Sequence, residues 1–599
     1  VKNVKQIRNF AIIAHIDHGK STLADRIMEL TDTISEREQS DQLLDDLQVE
    51  QAHGVTVKSR TVTNEYQAGD GQKYELNFID TPGHVDFAYE VSRSMSACEG
   101  AILLVDATKG VQAQTVANFR LAKAAGLAII PVINKVDSQS AEVDRVESQI
   151  HNLDELLKDE KILKISAKTG LGVPEVLEAI VDKISAPTAD DGDELKALVF
   201  DSNYDQYKGI VALVRVVSGN LTKQRQLRLM ANQTDFNAGE VGILTPDKNP
   251  QDSLIAGEVG YIITGIKDPQ KVRIGDTITY AEAPAKVTLP GYESSEPVVF
   301  AGLYPDESSY ADLKLAVEKV ALNDPAFHYR EEVSDALGPG FRCGFLGGFH
   351  LQIIRERLVD EYGVSVLTTS PNVTYHVTTS DGQALTVENP GQFPDFSEVQ
   401  YVEEPFVRAT ISTPNELLSE VMKLAEQYKG ELDDLQDNNG LIDAIYNMPL
   451  SEIAFEFFNK LKSVSHGYAT LSSKMIGYRV ADMVQVDVRI NYADVDSLAF
   501  VTHRLDAPKQ TQELVHKLKY TIPRKLYPMP VQAMVEGKAI ARVDVPPLRK
   551  NAAVSGDKKS VSKKQALLRR QNINKRKAAQ NDIKLPQSVF NAILEVHDV

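Results

Sequence analysis

The sequence predicts a multidomain protein of α/β and β class: a P-loop domain, a β-barrel, two ferredoxin-like α+β domains and a mixed C-terminal domain. Three observations predict it. Strand and helix patterns alternate over residues 1 to 187, which implies a sheet with helices on both faces. Short apolar strands separated by Gly and Asn-Pro turns follow, from Leu198 to about Tyr280. Two later stretches then each run strand, helix, strands, helix, strand, the order of a ferredoxin-like unit.

The first domain is organised around Ala14 to Thr22, AHIDHGKST. An apolar run, Phe10-Ala11-Ile12-Ile13, precedes it as a buried strand, and Leu23 to Leu30 follows as a helix. Strand, turn and helix are the context that a phosphate-binding loop requires. Backbone N–H groups over Asp17, His18, Gly19 and the helix start, through Thr22, would face phosphate oxygens. Lys20 would reach the outer phosphates, and the Ser21 hydroxyl would sit on Mg²⁺. The first position of the usual GxxxxGK[ST] pattern is Ala14, which costs little where φ is negative.

Further elements follow in order. Tyr74 to Ile79 reads as a strand ending in Asp80-Thr81-Pro82-Gly83-His84. Loops at that end of a parallel sheet bind ligands, so Asp80 would hold Mg²⁺ through water and the Gly83 N–H would contact a γ-phosphate. Ala101 to Val105 and Leu127 to Ile133 are two more buried strands, and the second delivers Asn134-Lys135-Val136-Asp137. A carboxylate accepts two hydrogen bonds from the N1–H and N2–H₂ edge of guanine, a donor pair that adenine lacks, so Asp137 points to GTP rather than ATP. Ser166-Ala167-Lys168, after the strand Ile162 to Ile165, supplies a second contact to the base. Between Thr31 and Thr63 no period holds, and the stretch contains Gly54-Val55-Thr56. Thr56 there would reach Mg²⁺ and the γ-phosphate, as in a switch ordered by GTP and released on hydrolysis. Each short motif alone also reads as an ordinary surface turn; their order after successive strands is what selects the nucleotide-binding reading.

Composition bounds the rest. Hydrophobic residues make up 42% and charged residues 25%, an ordinary globular balance. No run of eighteen apolar residues occurs, so no transmembrane helix is expected. The start, VKNVKQIRNF, lacks a signal-peptide core. Cys98 and Cys343 suffice for neither a disulfide framework nor a metal site and read as packed thiols, consistent with a reducing cytoplasm. Net charge is −19, yet Arg549 to Lys577 carries eleven Lys or Arg against Asp557 alone. That segment is a solvated tail or a phosphate-backbone contact, with Lys563, Lys564, Arg569 and Arg570 as RNA-binding candidates.

In chain order, 1–187 is the P-loop GTPase domain. Thr188 to Glu194 is a linker, and 188–285 holds the barrel. A first ferredoxin-like domain is expected over 286–385, with helices Ser309 to Leu322 and His350 to Tyr362 and a final pair of strands in Val364 to Val377. A second is expected over 400–485, with strand VRATIS, helix Asn415 to Tyr428, strands near Leu441 and Ile453, and helix Phe455 to Ser463. The acidic clusters at 190–194 and 431–437 read as linkers or solvated faces. Residues 486–599 form the C-terminal domain, with a strand in VQVDVRI, a helix over Ala507 to Tyr520, the basic segment 549–577 and a short end in which Pro586 starts a helix.

AHIDHGKST, DTPGHVDF and NKVD together resemble a translational GTPase. GFRCGFLGGFH at 340–350, MPLSEIAFEFFNKLKSVSHGYA at 448–469, HRLD at 503–506 and IPRKLYPMPVQA at 522–533 narrow the resemblance to elongation factor 4, the LepA family, over nearly the whole chain. Elongation factor G shares the earlier domain types but carries a tip domain with no counterpart here. The resemblance implies that His84 orients the attacking water and that Ile16 and Val55 form an apolar gate restraining it. Lys20, Ser21, Thr56 and Asp80 match the phosphate and metal groups. It also implies GTP/GDP and Mg²⁺ as ligands, the ribosome (RNA and proteins) and tRNA as partners, and slow intrinsic turnover raised by ribosomal RNA. One-codon back-translocation of tRNAs on improperly translocated ribosomes is the activity proposed for the family. A cytoplasmic monomer, sometimes peripheral on the membrane, is expected, with no role for DNA.

Two departures stand out. The family pattern RGIT reads Gln51-Ala52-His53-Gly54-Val55-Thr56 here, without the arginine. The C-terminal ARET and CYGGD-like stretches read Ala541-Arg542-Val543-Asp544 and Val554-Ser555-Gly556-Asp557. They suggest a divergent member or a second copy. A GTP-dependent ribosome assembly factor is the alternative reading, since it would use the same GTPase domain.

Overall fold

The computed structural model describes residues 3–15, 17–33, 60–80, 88–188, 194–205, 207–268, 271–290, 296–324, 326–438, 441–525, 527–548 and 585–590. The first domain holds β1 (Ile7–Ala14), α1 (Lys20–Leu30), β2 (Arg60–Gln67), β3 (Lys73–Asp80), α2 (Ala88–Ser96), β4 (Gly100–Asp106), α3 (Ala113–Ala124), β5 (Ala128–Asn134), α4 (Val143–His151), β6 (Leu163–Lys164) and α5 (Val173–Lys183). Its six strands lie in the order β2-β3-β1-β4-β5-β6. All pair in parallel except the β2–β3 edge hairpin. Every residue of β1 is buried, as a central strand covered by helices on both faces demands. Register aligns Ile12 with Asp80 and Asp106 with Asn134, so the C-terminal ends of β1, β3, β4 and β5 share one edge. That edge is where an open parallel sheet binds ligands.

The barrel comprises β7 (Lys196–Asp205), β8 (Gly209–Ser218), β9 (Asn220–Thr222), β10 (Leu227–Leu229), β11 (Thr234–Phe236), β12 (Glu240–Thr245), β13 (Asp247–Pro250), β14 (Ser253–Ile255), β15 (Val259–Ile263) and β16 (Thr277–Tyr280). Eight of these strands wrap around Val199, Ala212, Val214, Leu227, Ile262 and Ile278. The barrel shares a second core with the first domain: Ala11, Ile79 and Cys98 pack with Phe200, Leu213 and Tyr261. Inside this seam Arg215 pairs with Glu99, and Asn9 Nδ2 donates to Glu99 Oε2 (3.0 Å) and to the Gly257 carbonyl (3.1 Å). Cys98 and Cys343 are fully buried thiols pushed well up in pKa by desolvation, as packed rather than reactive cysteines are.

The next domain contains β17 (Val299–Pro305), α6 (Tyr310–Asn323), β18 (His328–Ser334), β19 (Gly338–Phe345), α7 (Gly348–Asp360) and β20 (Val366–Thr368). Its strand order β18-β19-β17-β20 is that of a ferredoxin-like unit. The following sheet contains β21 (Tyr375–Thr379), β22 (Ala384–Val387), β23 (Val399–Pro414), α8 (Leu418–Gln427), β24 (Glu431–Asn438), β25 (Leu441–Pro449), α9 (Phe458–Val464) and β26 (Thr470–Ala481). Here β24-β25-β23-β26 repeats the same order, with the β21–β22 hairpin added beside the first half of β23.

Two expectations are corrected. Tyr375–Thr379 does not end the first ferredoxin-like sheet; it pairs with residues of β23 in the second. A short strand of alternating burial does not announce its partner. Ile453 lies not in a strand but in a helical run, Leu450–Glu452 then Ile453–Phe457, that leads into α9. Leu450, Ile453, Phe457 and Leu461 recur at helical spacing and are buried together. The acidic stretch at 431–437 is the solvated face it was expected to be, on the exposed edge strand β24. Asp433 takes Arg408 at 2.6 Å and Glu431 takes Arg479 at 3.0 Å.

The C-terminal domain is built from β27 (Met483–Ile490), β28 (Ala493–Asp494), β29 (Phe500–His503), α10 (Ala507–Thr521), β30 (Met529–Val535) and β31 (Lys538–Val545). Its core takes in Tyr304 and Leu367 of the first ferredoxin-like domain and Val589 and Phe590 near the chain end. Gln587 clamps Thr368, accepting from its N–H (2.7 Å) and donating to its carbonyl (3.1 Å). The basic segment 549–577 lies outside the described residues. Among the described residues no helix is long and apolar enough to cross a membrane.

Between α6 and α7 a buried pair fixes the first ferredoxin-like domain. The Leu346 N–H donates to His350 Nδ1, so the proton on Nε2 faces Asp324 Oδ2 at 3.0 Å. Burial opposes ionisation of Asp324, but His350 and Arg357 outweigh it and hold the carboxyl at about 2. The folded value lies below the ordinary 3.8, so this stabilisation is present above about pH 4 and is lost as pH falls toward 2. Asp324→Asn is expected to remove about 2 kcal/mol at neutral pH and to flatten the acid limb of the stability curve in that window, as read by denaturant titration at several pH values.

Candidate guanine-nucleotide site

The phosphate-binding loop leaves β1 at Ala14, which ends the strand in extended conformation and needs no glycine. Asp17 and Gly19 then adopt positive φ, 64° and 93°, and α1 starts at Lys20. A Cβ on Gly19 would stand 2.5 Å from Asn134 Nδ2, so both its backbone and its surroundings require glycine. The close approach has a purpose. Asn134 Nδ2 donates to the His18 carbonyl (2.9 Å), and its Oδ1 accepts from the Ala167 N–H (2.9 Å). One buried amide thus ties the phosphate loop, the end of β5 and the Ser166-Ala167-Lys168 turn together.

Lys135, at φ 63°, reinforces the tie: its Nζ donates to the Asp17 carbonyl (2.6 Å) and pairs with Asp106 Oδ2 (2.8 Å). Burial opposes ionisation of Asp106, but hydrogen bonds from Lys135 and Thr108 prevail and hold its carboxyl below the usual range. Val136 N–H donates to the Ile165 carbonyl (3.2 Å), which leaves Asp137 exposed on the same turn. Ser166 is buried and its Oγ accepts from the Thr169 N–H (3.2 Å). Arg26 on α1 donates to the carbonyls of Ala167 (3.2 Å) and Lys168 (2.9 Å), closing the ring of contacts.

Lys20 Nζ lies 3.0 Å from Asp80 Oδ1, both side chains largely buried. The pair places a cation and a carboxylate at the edge where the ends of β1 and β3 meet. Ser21, partly buried on the first turn of α1, adds a hydroxyl, and Thr22 faces solvent. Ser21 and Asp80 offer hard oxygen donors, the chemistry that a Mg²⁺ ion accompanied by phosphates accepts. Asp17, His18, Gly19, Lys20, Ser21, Asp80, Asn134, Lys135, Val136, Ser166 and Ala167 are thus brought together, with Asp137 and Lys168 at the rim. Ile16, Val55, Thr56, Gly83 and His84 lie outside the described residues, as do Lys563, Lys564, Arg569 and Arg570.

Sequence motifs did not single out His15, Asp106, Lys109 or Gln112. His18 Nδ1 accepts from the Asp106 N–H (3.2 Å), so Nε2 carries the proton and donates to Gln112 Oε1 (2.9 Å). Burial lowers the His18 pKa and takes that of His15 down to about 3. Both imidazoles are therefore neutral at physiological pH. A buried His in a phosphate loop must find two partners, and that need is the one signal in the sequence that could have pointed to Gln112.

Fold and site together define a P-loop GTPase of the translational class. Residues 5–186 match the elongation factor Tu GTP binding domain and 209–279 elongation factor Tu domain 2. Residues 401–489 match the elongation factor G C-terminus and 490–595 the C-terminus of GTP-binding protein LepA. The chain belongs to the elongation factor 4 (LepA) family and hydrolyses GTP. It is 62% identical to elongation factor 4 2 of Lactiplantibacillus plantarum, over 98% of this chain and 99% of that one. It is 46% identical to elongation factor 4 1 of the same organism (99% and 98% covered) and 46% identical to elongation factor 4 of Bacillus subtilis (99% and 97%). In fold it resembles the crystal structure of ttk003000868 from Thermus thermophilus. The TM-score is 0.57 at 18% identity, covering 80% of this chain and 97% of that one.

Gly19→Ala combines strained backbone with a clash against Asn134. It is expected to cost about 1–3 kcal/mol of stability and to abolish nucleotide binding, as read by thermal unfolding with and without GDP.

Proposed function

We propose that this chain is a ribosome-stimulated GTPase acting in translational fidelity or rescue, in which hydrolysis drives one-codon back-translocation of tRNAs on improperly translocated ribosomes. The observation that carries the reading is the joining of the Asp17–Ser21 loop, Asp80 and the Asn134–Asp137 turn at one sheet edge, in a chain that matches elongation factor 4 proteins end to end.

In this reading Asp137 accepts from the guanine edge, and Ser166, Ala167 and Lys168 line the base. Backbone N–H groups from Asp17 to Thr22, the Gly83 N–H and Lys20 hold the phosphates. Ser21, Thr56 and, through water, Asp80 would hold Mg²⁺, which would supply neutralisation of phosphate charge. His84 orients the attacking water, and Ile16 and Val55 keep it back until the ribosome engages. The chemistry needs only positioning and charge stabilisation, with no covalent intermediate. An activator supplied from outside is worth about 10³–10⁵ in rate in related GTPases, so slow turnover alone is expected. The basic run 549–577 contacts phosphate backbones of tRNA or ribosomal RNA through Lys563, Lys564, Arg569 and Arg570. The protein works as a cytoplasmic monomer that can associate peripherally with the membrane. Identity of 62% to one L. plantarum copy against 46% to the other supports its being a second-copy type within the family.

The test is GTP hydrolysis by the purified chain with and without 70S ribosomes at two salt concentrations. Stimulation by orders of magnitude, weakened by salt, is expected; binding to immature subunits without stimulation would favour the assembly-factor role instead. His84→Ala is expected to remove the stimulation while GTP affinity stays the same, and a loss of binding would contradict the role. Asp137→Asn is expected to lower GTP preference over other purine nucleotides by at least about tenfold, the worth of one charge-assisted hydrogen bond, in a competition binding assay.

A further inference from the structure

The loop between β4 and α3 touches the phosphate-binding loop on one side and the second ferredoxin-like domain on the other. On the first side, Gln112 Oε1 accepts from His18 Nε2 (2.9 Å), and Lys109 Nζ pairs with Asp17 Oδ2 (3.6 Å). On the second, the Tyr468 hydroxyl donates to the Lys109 carbonyl (3.4 Å). Gly467, at φ 83°, lies so close that an added Cβ would stand 3.3 Å from Gln112 Nε2. Two turns along α3, Arg120 reaches the same domain. Its Nη1 donates to Ser412 Oγ (3.0 Å) and its Nη2 to both oxygens of Asp443 (3.2 and 3.1 Å), a carboxylate that is itself largely buried.

These contacts are polar and specific, and beside them the two domains are separated by a cavity of about 440 Å³ lined by Asp17, Lys109, Gln112, Lys462 and His466. A polar seam of this kind opens and closes more readily than an apolar one. The first domain and the barrel, by contrast, share a hydrophobic core. The same loop therefore braces Asp17 and His18 and forms the docking surface. On the other side of the ring, His18 Nδ1 accepts from the Asp106 N–H (3.2 Å).

We infer that Gln112 is a positioning residue for the phosphate-binding loop, and that docking of the second ferredoxin-like domain onto α3 is thermodynamically linked to guanine-nucleotide affinity. The inference rests on the reading that Asp17–Ser21 cradles the phosphates. Undocking releases Lys109 and Gln112, and with them the loop conformation at Asp17 and His18; a nucleotide that fixes the loop must favour docking by the same factor. The device lets the position of a distant domain on its target alter how firmly GTP or GDP is held.

The test measures GDP and GTP affinities and steady-state hydrolysis for the full chain and its variants. Gln112→Leu is expected to weaken both nucleotides about tenfold, the worth of one buried hydrogen bond, raising KM while kcat is kept. Gln112→Glu, which retains an acceptor for His18, is expected to restore affinity. Asp443→Asn and Tyr468→Phe, which touch no part of the phosphate loop, are expected to weaken nucleotide binding about fivefold through linkage. Arg120→Ala combined with Asp443→Asn should then be no weaker than either alone, as partners in one contact are. Unchanged affinity in Asp443→Asn and Tyr468→Phe, with Lys20→Ala still abolishing binding, would overturn the linkage and leave the site reading intact. Unchanged affinity in Lys20→Ala as well would overturn both.

Discussion

The site depends on one buried carboxamide. Asn134 stands where three chain segments leave a parallel sheet, and each brings backbone groups that the sheet no longer pairs. An amide offers a donor and an acceptor on one rigid plane, so it satisfies the His18 carbonyl and the Ala167 N–H at once. A carboxylate would lack the donor, and a leucine would lack both. The contact brings the Asn134 side chain against the backbone at Gly19, which is why the loop must turn there through a residue with no side chain. Lys135 and Arg26 extend the same cross-linking to Asp17, Ala167 and Lys168. The residues that hold phosphate and those that read the base are therefore parts of one polar framework, so strain at one end is felt at the other.

Around that framework the domains are joined by seams of different character. The GTPase domain and the barrel share apolar side chains and enclose the Arg215–Glu99 pair with Asn9. The two ferredoxin-like domains and the C-terminal domain are likewise bound by shared cores, by the Gln587 clamp on Thr368, and by Lys429. The Lys429 ammonium sits between Glu452 (2.6 Å) and Asp506 (2.7 Å). His503 completes that junction through Lys429 on one nitrogen and Glu404 on the other. HRLD at 503–506, one of the stretches that carried the family resemblance, thus joins domains. Between the two groups the contacts at Arg120 and Tyr468 are polar, and a rotation about them costs less than opening an apolar core.

What the sequence by itself determined is the chemistry that short motifs must carry. AHIDHGKST, the aspartate after a buried strand and NKVD each need particular atoms at particular backbone positions, so residue type and spacing are enough to recognise them. The same holds for the strand–helix order of the two ferredoxin-like domains, because hydrophobic period follows from local geometry. Tertiary structure decided which strands pair and which side chains meet across long separations. Tyr375–Thr379 joined the sheet of β23, and the run around Ile453 became helical. Gln112 became a partner of His18 at a separation of 94 residues. The pairing of Tyr375–Thr379 and the partner of His18 do not follow from local pattern, since a short strand satisfies either neighbour and a glutamine satisfies any buried proton. Each was settled only when the packed domains left that group one place to make its hydrogen bond or bury its surface.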